Sequence, residues 1–315
     1  MLSPKDLKGI MAMMPAFATD TSTDVTNTST IDVDRLAQGV DRMVRDGGAD
    51  VIGATGSFGE ATNLLPNELE TLARATVETV NKRVPVVVGC IGLHTREVIQ
   101  KAKIAQDAGA DGLILGVPGY FPSSVQNAVQ FFKDVAGLFP KMGILIYHNP
   151  PMHNITLPVE AFEEIVKIPN VVGMKDSHRT TVQFQRLMSI VEGKISVFCN
   201  HSQYNVYRGL GAAGFWAIDI WMGPEPMIAL REAVARGDTA KARQITIDSS
   251  FNRVGEVNMQ WREIAHKIAV RFAGYVDPGP LRPPFIHVPE EVMKRQKARA
   301  ARWRELCDVY RRELA

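Results

Sequence analysis

The chain has 315 residues with 36 basic and 34 acidic side chains, a net charge of +2. So even a balance gives no extended positive field, which argues against nucleic acid or anionic membrane as a partner. Hydrophobic residues make up 45% and charged ones 22%, the composition of a globular protein with a sizeable core, while Cys90, Cys199 and Cys307 are too few and too scattered for a disulfide framework or a structural zinc site.

In chain order, Met1-Leu2-Ser3-Pro4-Lys5-Asp6 lacks the basic-then-apolar order of an export signal, and no stretch has the length of a membrane span. A reducing cytoplasm is the expected setting. Short β-branched runs then recur, each followed by a glycine-rich or polar turn and a segment of helical period. Strands are expected at Ile10–Ala16, Val51–Ala54, Val86–Cys90, Gly112–Val117, Gly143–Tyr147, Val171–Lys175, Ser196–Cys199 and Gly214–Ile218. Crossover helices are expected at Asp34–Asp46, Asn67–Val80, Thr95–Asp107, Val125–Leu138, Pro158–Ile168, Thr181–Val191 and Gln203–Leu210. Eight strands alternating with helices predict an α/β fold, a (β/α)8 TIM barrel over residues 1–226.

After Pro226 the β signal stops. Met227–Arg236, Thr239–Val254, Asn258–Phe272 and Pro289–Leu314 read as helices of a C-terminal helical extension, residues 227–315, broken by the proline- and glycine-rich loop Gly274–His287. The basic run Lys294–Arg304 has the period of a solvated helix face.

In such a barrel, working residues sit at the C-terminal ends of strands. Four positions stand out there: Gly56-Ser57-Phe58-Gly59-Glu60, Tyr147-His148-Asn149-Pro150, Lys175 and Trp216. Lys175 closes the apolar strand Val171-Val172-Gly173-Met174, so burial is expected to push its pKa down and leave a neutral, nucleophilic amine. A rim lysine paired with Asp176 is the plainer alternative. Tyr147 lies one strand away, within reach for proton transfer, although a core tyrosine satisfied by backbone would look the same. The Gly56–Glu60 turn offers backbone N–H groups to a carboxylate, or it is a simple strand-to-helix turn. His94, His148, His153, His178 and His201 also fall near strand ends. None forms a His-x-x-x-His or His-x-x-Glu-His pair, so no metal or other cofactor is expected.

Together, Gly56-Ser57-Phe58-Gly59-Glu60, Tyr147 and Gly173-Met174-Lys175-Asp176 resemble the motifs of the dihydrodipicolinate synthase and N-acetylneuraminate lyase superfamily, which are class I pyruvate-handling aldolases. The resemblance runs from about Gly9 to Pro226. It implies a Schiff base on Lys175, proton shuttling by Tyr147, a pyruvate-binding loop at Gly56, Ser57 and Gly59, and, by analogy, a homotetramer.

The departures narrow the reading. Phe58 replaces the second threonine of the family's Gly-Thr-Thr-Gly-Glu loop, and no arginine follows Pro150, which counts against lysine biosynthesis. Trp216, Tyr120, Phe121 and Phe58 are expected to supply aromatic walls for a flat substrate. With Leu281-Arg282-Pro283-Pro284-Phe285, the pattern is similar to hydratase-aldolases that cleave trans-o-hydroxybenzylidenepyruvate or trans-o-carboxybenzylidenepyruvate in the breakdown of polycyclic aromatic hydrocarbons. On that resemblance Asn149 and Tyr147 place the water that adds to the substrate, and Ser57 relays a proton. A sugar-acid lyase or 2-keto-3-deoxy acid aldolase is the alternative within the superfamily. His153, His178, His201 and Gln203 are the candidates for reading an ortho hydroxyl or carboxylate.

Overall fold

A computed structural model describes residues 1–176, 178–250 and 264–314. Eight parallel strands close into a barrel in sequence order: β1 (Gly9–Met13), β2 (Val51–Ala54), β3 (Val86–Gly89), β4 (Gly112–Leu115), β5 (Gly143–His148), β6 (Val171–Asp176), β7 (Ser196–Asn200) and β8 (Gly214–Ala217). Every residue of β2 to β6 is buried, because helices cover the outer face and side chains fill the inside; this explains the unbroken apolar runs in the sequence. β1 pairs with β8, placing Met11 opposite Trp216 and sealing the circle.

The crossover helices are α1 (Val33–Arg45), α2 (Pro66–Val80), α3 (Thr95–Asp107), α4 (Val125–Leu138), the short α5 (Pro150–His153) and α6 (Phe162–Ile165), α7 (Thr181–Val191), α8 (His201–Tyr207) and α9 (Glu225–Ala235). Side-chain oxygens of Asp32, Ser124 and Thr180 accept from the first-turn N–H groups of α1, α4 and α7, satisfying donors that the helix leaves open. His94 does the same for α3 through Nδ1, so this histidine is a cap rather than a ligand.

Several boundaries moved for physical reasons. The first strand stops at Met13, before Pro15, which has no N–H for the ladder. The predicted helix Pro158–Ile168 is a 3-10 turn, Val159–Ala161, followed by α6. β5 and β6 each run one residue further than expected, to His148 and Asp176, and those two residues pair in register. α9 follows β8 and packs back onto β1 and α8, the position of the barrel's eighth helix. A division at residue 226 therefore falls just inside that helix, and the barrel layer reaches Ala235.

Beyond it lie α10 (Thr239–Ser250), α11 (Ile264–Ala273) and α12 (Glu290–Leu314). The predicted helices Thr239–Val254 and Asn258–Phe272 both extend into 251–263, which are outside the described residues, as is Ser177. α12 buries Gln296, Ala300, Trp303, Leu306, Cys307 and Tyr310 at helical spacing and leaves Lys294, Arg295, Lys297, Arg302 and Arg304 exposed, the solvated basic face read from the sequence. Trp303 donates its indole N–H to Gly223 O at 2.9 Å, and Arg299 pairs with Asp219, so α12 is fastened to the turn after β8. Among the described residues no helix is long and apolar enough to cross a membrane.

Candidate active site

Lys175 ends up where strand geometry sends it. It is buried at 4% exposure, directly opposite Tyr147 in the β5–β6 register. Its Nζ lies 4.3 Å from the Tyr147 ring centroid and 3.7 Å from that of Trp216. Two aromatic faces thus flank a buried amine. The plainer alternative, a pair with Asp176, meets the alternation of a strand: successive side chains point to opposite faces, and the Asp176 carboxylate is engaged elsewhere.

The Tyr147 hydroxyl is held on two sides. Asn149 Nδ2 donates to it at 3.1 Å, and Ser57 Oγ lies 2.8 Å away. Asn149 donates to the phenol oxygen, and the 2.8 Å contact with Ser57 Oγ is short enough to pass a proton between the two hydroxyls. His153 packs edge-on against the same ring at 5.1 Å. Its Nδ1 lies 3.1 Å from Val117 O, which can only accept, so that nitrogen carries the proton. Burial, followed by the fields of His148 and Lys175, pushes His153 down to about 4.

The Gly56–Glu60 turn is tightly wound. Ala61 N–H reaches back to Gly56 O at 3.0 Å and Glu60 N–H to Ser57 O at 3.2 Å. Gly56 has φ 134°, a conformation that L side chains rarely adopt. A side chain at Gly59 would meet Thr55 Cα at 2.7 Å and Met14 O at 2.9 Å, so this glycine serves the close approach of loop to strand; Gly56, Ser57 and Glu60 face the cavity. That cavity, about 290 Å³, is lined by Gly56, Ser57, Glu60, Ala61, Thr62, Asn63, Ile91, Tyr147, Met152, His153, Ile264 and Phe285. Lys175 and Trp216 are not on its wall; they meet it through Tyr147.

The other three expected aromatics also lie off that wall. Phe58 is buried at 4% exposure and its ring meets His266 of α11 edge-on at 6.3 Å. It turns into the barrel–extension junction, where an apolar ring belongs, while small Ser57 takes the cavity side. Tyr120 is 71% exposed and stacks edge-on with Phe121 at 4.9 Å, so neither lines the cavity. The aromatic wall comes from Phe285, at the end of the Leu281–Phe285 run that entered the sequence reading only through its resemblance, and Ile264 adds a second wall from α11.

The histidines near Asp176 form an ion-pair cluster. Arg179 Nη1 donates to Asp176 Oδ2 at 2.8 Å, and Nη2 to Leu157 O at 2.7 Å. His148 Nε2 accepts the Leu157 N–H at 3.0 Å, so the proton of the neutral ring sits on Nδ1 and donates to Asp176 Oδ1 at 3.2 Å. The 3.3 Å approach of Arg179 Nη1 to His148 Nδ1 then joins two donors and is a contact, not a bond. His178 Nδ1 lies 3.0 Å from the same carboxylate oxygen. Burial lowers the His148 pKa against the pull of Asp176. Burial would raise Asp176, yet hydrogen bonds from His148 and His178 and the Arg179 charge hold it well below the usual carboxylate range. His148, Asp176 and His178 have the spacing of a metal site, but both His148 nitrogens are committed and a guanidinium already neutralises the carboxylate. The donors fit an ion pair. Arg179 was invisible to the search of strand ends because it follows β6 by three residues. Of the remaining candidates, His201 is buried in the first turn of α8, and Gln203 Oε1 accepts from Asn200.

Residues 13–302 match the dihydrodipicolinate synthetase family. The chain is 30% identical to the trans-O-hydroxybenzylidenepyruvate hydratase-aldolase of Pseudomonas aeruginosa, across 99% of this chain and 97% of that one. It is 26% identical to the trans-2'-carboxybenzalpyruvate hydratase-aldolase of Nocardioides sp. strain KP7, across 98% and 97%. Its fold is similar to that of PhdJ bound to substrate intermediate, with a TM-score of 0.91 at 27% identity, covering 98% of this chain and 99% of that chain.

Proposed function

The chain belongs to the dihydrodipicolinate synthetase family and is a class I aldolase or lyase; from that membership we propose that it hydrates a substituted trans-benzylidenepyruvate and cleaves it to an aromatic aldehyde and pyruvate. The observation that carries the reading is the meeting of Lys175 with the Tyr147–Ser57–Asn149 hydrogen-bond group at the edge of a cavity whose lining includes Ile91, Met152, Ile264 and Phe285 beside the polar Glu60, Thr62, Asn63 and His153. Apolar walls suit an aryl group better than the polyhydroxyl chain of a sugar acid, which would need several paired polar groups.

In this scheme Lys175 Nζ adds to the 2-keto carbon and water leaves, giving a protonated imine. The imine draws electrons through the conjugated double bond, and a water held by Asn149 and Tyr147 adds at the benzylic carbon and gives up a proton. The resulting enamine takes a proton at C3, which restores the protonated imine as the electron sink for cleavage. Tyr147 then takes the hydroxyl proton, with Ser57 as relay, as the carbon–carbon bond breaks. The aldehyde leaves, the enamine of pyruvate is protonated at carbon, and hydrolysis frees the lysine. In this reading Gly56 and Ser57 hold the carboxylate, and Trp216 covers the lysine. Nothing in the scheme calls for a cofactor.

Turnover of a panel of arylidene pyruvates and 2-keto-3-deoxy sugar acids, with the released aldehyde identified, tests the substrate class; cleavage of the sugar acids alone would sink it. Tyr147→Phe should lower kcat by about 10²–10⁴-fold if the phenol transfers the proton, and a near-normal rate removes Tyr147 from the scheme. A homotetramer belongs to the same proposal, and light scattering on the purified chain tests it.

A further inference from the structure

Arg282 sits in the loop between α11 and α12, and all five of its N–H donors are used inside the protein. Nε donates to Thr30 Oγ1 at 2.7 Å; Nη1 to Ala16 O at 3.2 Å and Glu60 Oε2 at 2.9 Å; Nη2 to Phe17 O at 3.3 Å and Thr30 O at 2.9 Å. Lys267 of α11 takes the other Glu60 oxygen at 2.6 Å. All three charged side chains are at least nine-tenths buried. Glu60 itself has left-handed backbone, φ 54°, as does Thr55 at φ 56°, a strained conformation for a non-glycine residue that persists only where surroundings enforce it. On the other side, Phe285 N–H bonds back to Arg282 O at 3.0 Å, so the same residue ends a turn that delivers Phe285 to the cavity. Glu60 and Phe285 both line that cavity.

We infer that Arg282 is a positioning residue that fixes the gap between the Gly56–Glu60 turn and Phe285, and thereby decides how large a 2-keto acid the site takes. Lysine keeps the charge but not the planar five-donor fork, so it can satisfy Glu60 or the carbonyls of Ala16, Phe17 and Thr30, never all of them. The inference rests on the aryl-pyruvate reading in one respect, the presence of an aromatic end to be measured by the gap.

The test is a competition on the intact chain: pyruvate and a benzylidenepyruvate are offered together with borohydride, and the reduced adducts on Lys175 are weighed by mass spectrometry. Arg282→Lys should lower the ratio of aryl to pyruvate adduct by about tenfold, the scale at which a pocket discriminates by shape, with pyruvate trapping alone changed less than about threefold. Phe285→Ala should move the ratio the same way, and it decides the matter if Arg282→Lys does not fold. An unchanged ratio, or equal loss of both adducts, overturns the inference. If the unaltered chain traps pyruvate but no aryl acid, the substrate reading has failed and the gap has nothing aromatic to select; both proposals then fall, while the Schiff base survives.

Discussion

Two buried carboxylates, Asp176 and Glu60, are neutralised in opposite ways. Among the described residues Asp176 is met from within the barrel: its guanidinium partner is three residues away, one histidine partner lies opposite it in the adjoining strand and another is two residues on. Glu60 is met by cations from 207 and 222 residues downstream, both in the extension. The first cluster holds a strand end and a histidine tautomer beside Lys175. The second ties two layers of the molecule across the substrate cavity. Similar chemistry thus has a local use in one place and an architectural use in the other, and the extension becomes part of the site.

The comparison can be broken most severely at Asp176. Asp176→Asn strands a buried guanidinium and should cost about 3–5 kcal/mol in urea unfolding; a loss under 1 kcal/mol would mean the cluster is not held by charge. Lys267→Met is the gentler probe. Glu60 keeps Arg282, so the loss should stay within about 1.5–3 kcal/mol, the worth of one charge-assisted hydrogen bond. A larger loss there than at Asp176 would reverse the ranking.

The pH dependence separates the clusters further. His148 and His153 have folded values below 6.5, His153 at about 4, so below pH 6.5 the unfolded chain binds protons that the folded one resists. Stability falls as acid is added, and Asp176, also depressed, withdraws its share below its ordinary 3.8. Lys267 works at the other end. Burial brings it down to about 8 from 10.5, with Glu60 opposing, so between pH 8 and 10.5 the unfolded chain holds the extra proton and this group's effect is to raise stability with pH. Unfolding measured from pH 4 to 10 should show both slopes, and Lys267→Met should remove only the alkaline one.

What the sequence disclosed follows the same division between local and distant. The barrel, Lys175, Tyr147 and the glycine turn were legible because each is written in a short run with its own period or turn chemistry. The neighbourhood of Tyr147 and Lys175 was legible too, since adjacent parallel strands fix it. Phe58 was misread because a turn does not alternate inward and outward as a strand does, and its ring could as well face the junction. Lys267 carried no local signal, and Arg282 and Phe285 stood out only as part of a motif resemblance: nothing in their own surroundings names Glu60 or the cavity, and only the folded chain brings them together.

The central claim is that one buried amine forms the covalent link to substrate. Its most direct measurement is peptide mass mapping after borohydride reduction with pyruvate, done on the unaltered chain and on Lys175→Met. The account predicts a single reduced adduct on the peptide containing Lys175, with neither adduct nor turnover in the variant. An adduct on another lysine, or turnover that survives the substitution, would contradict it.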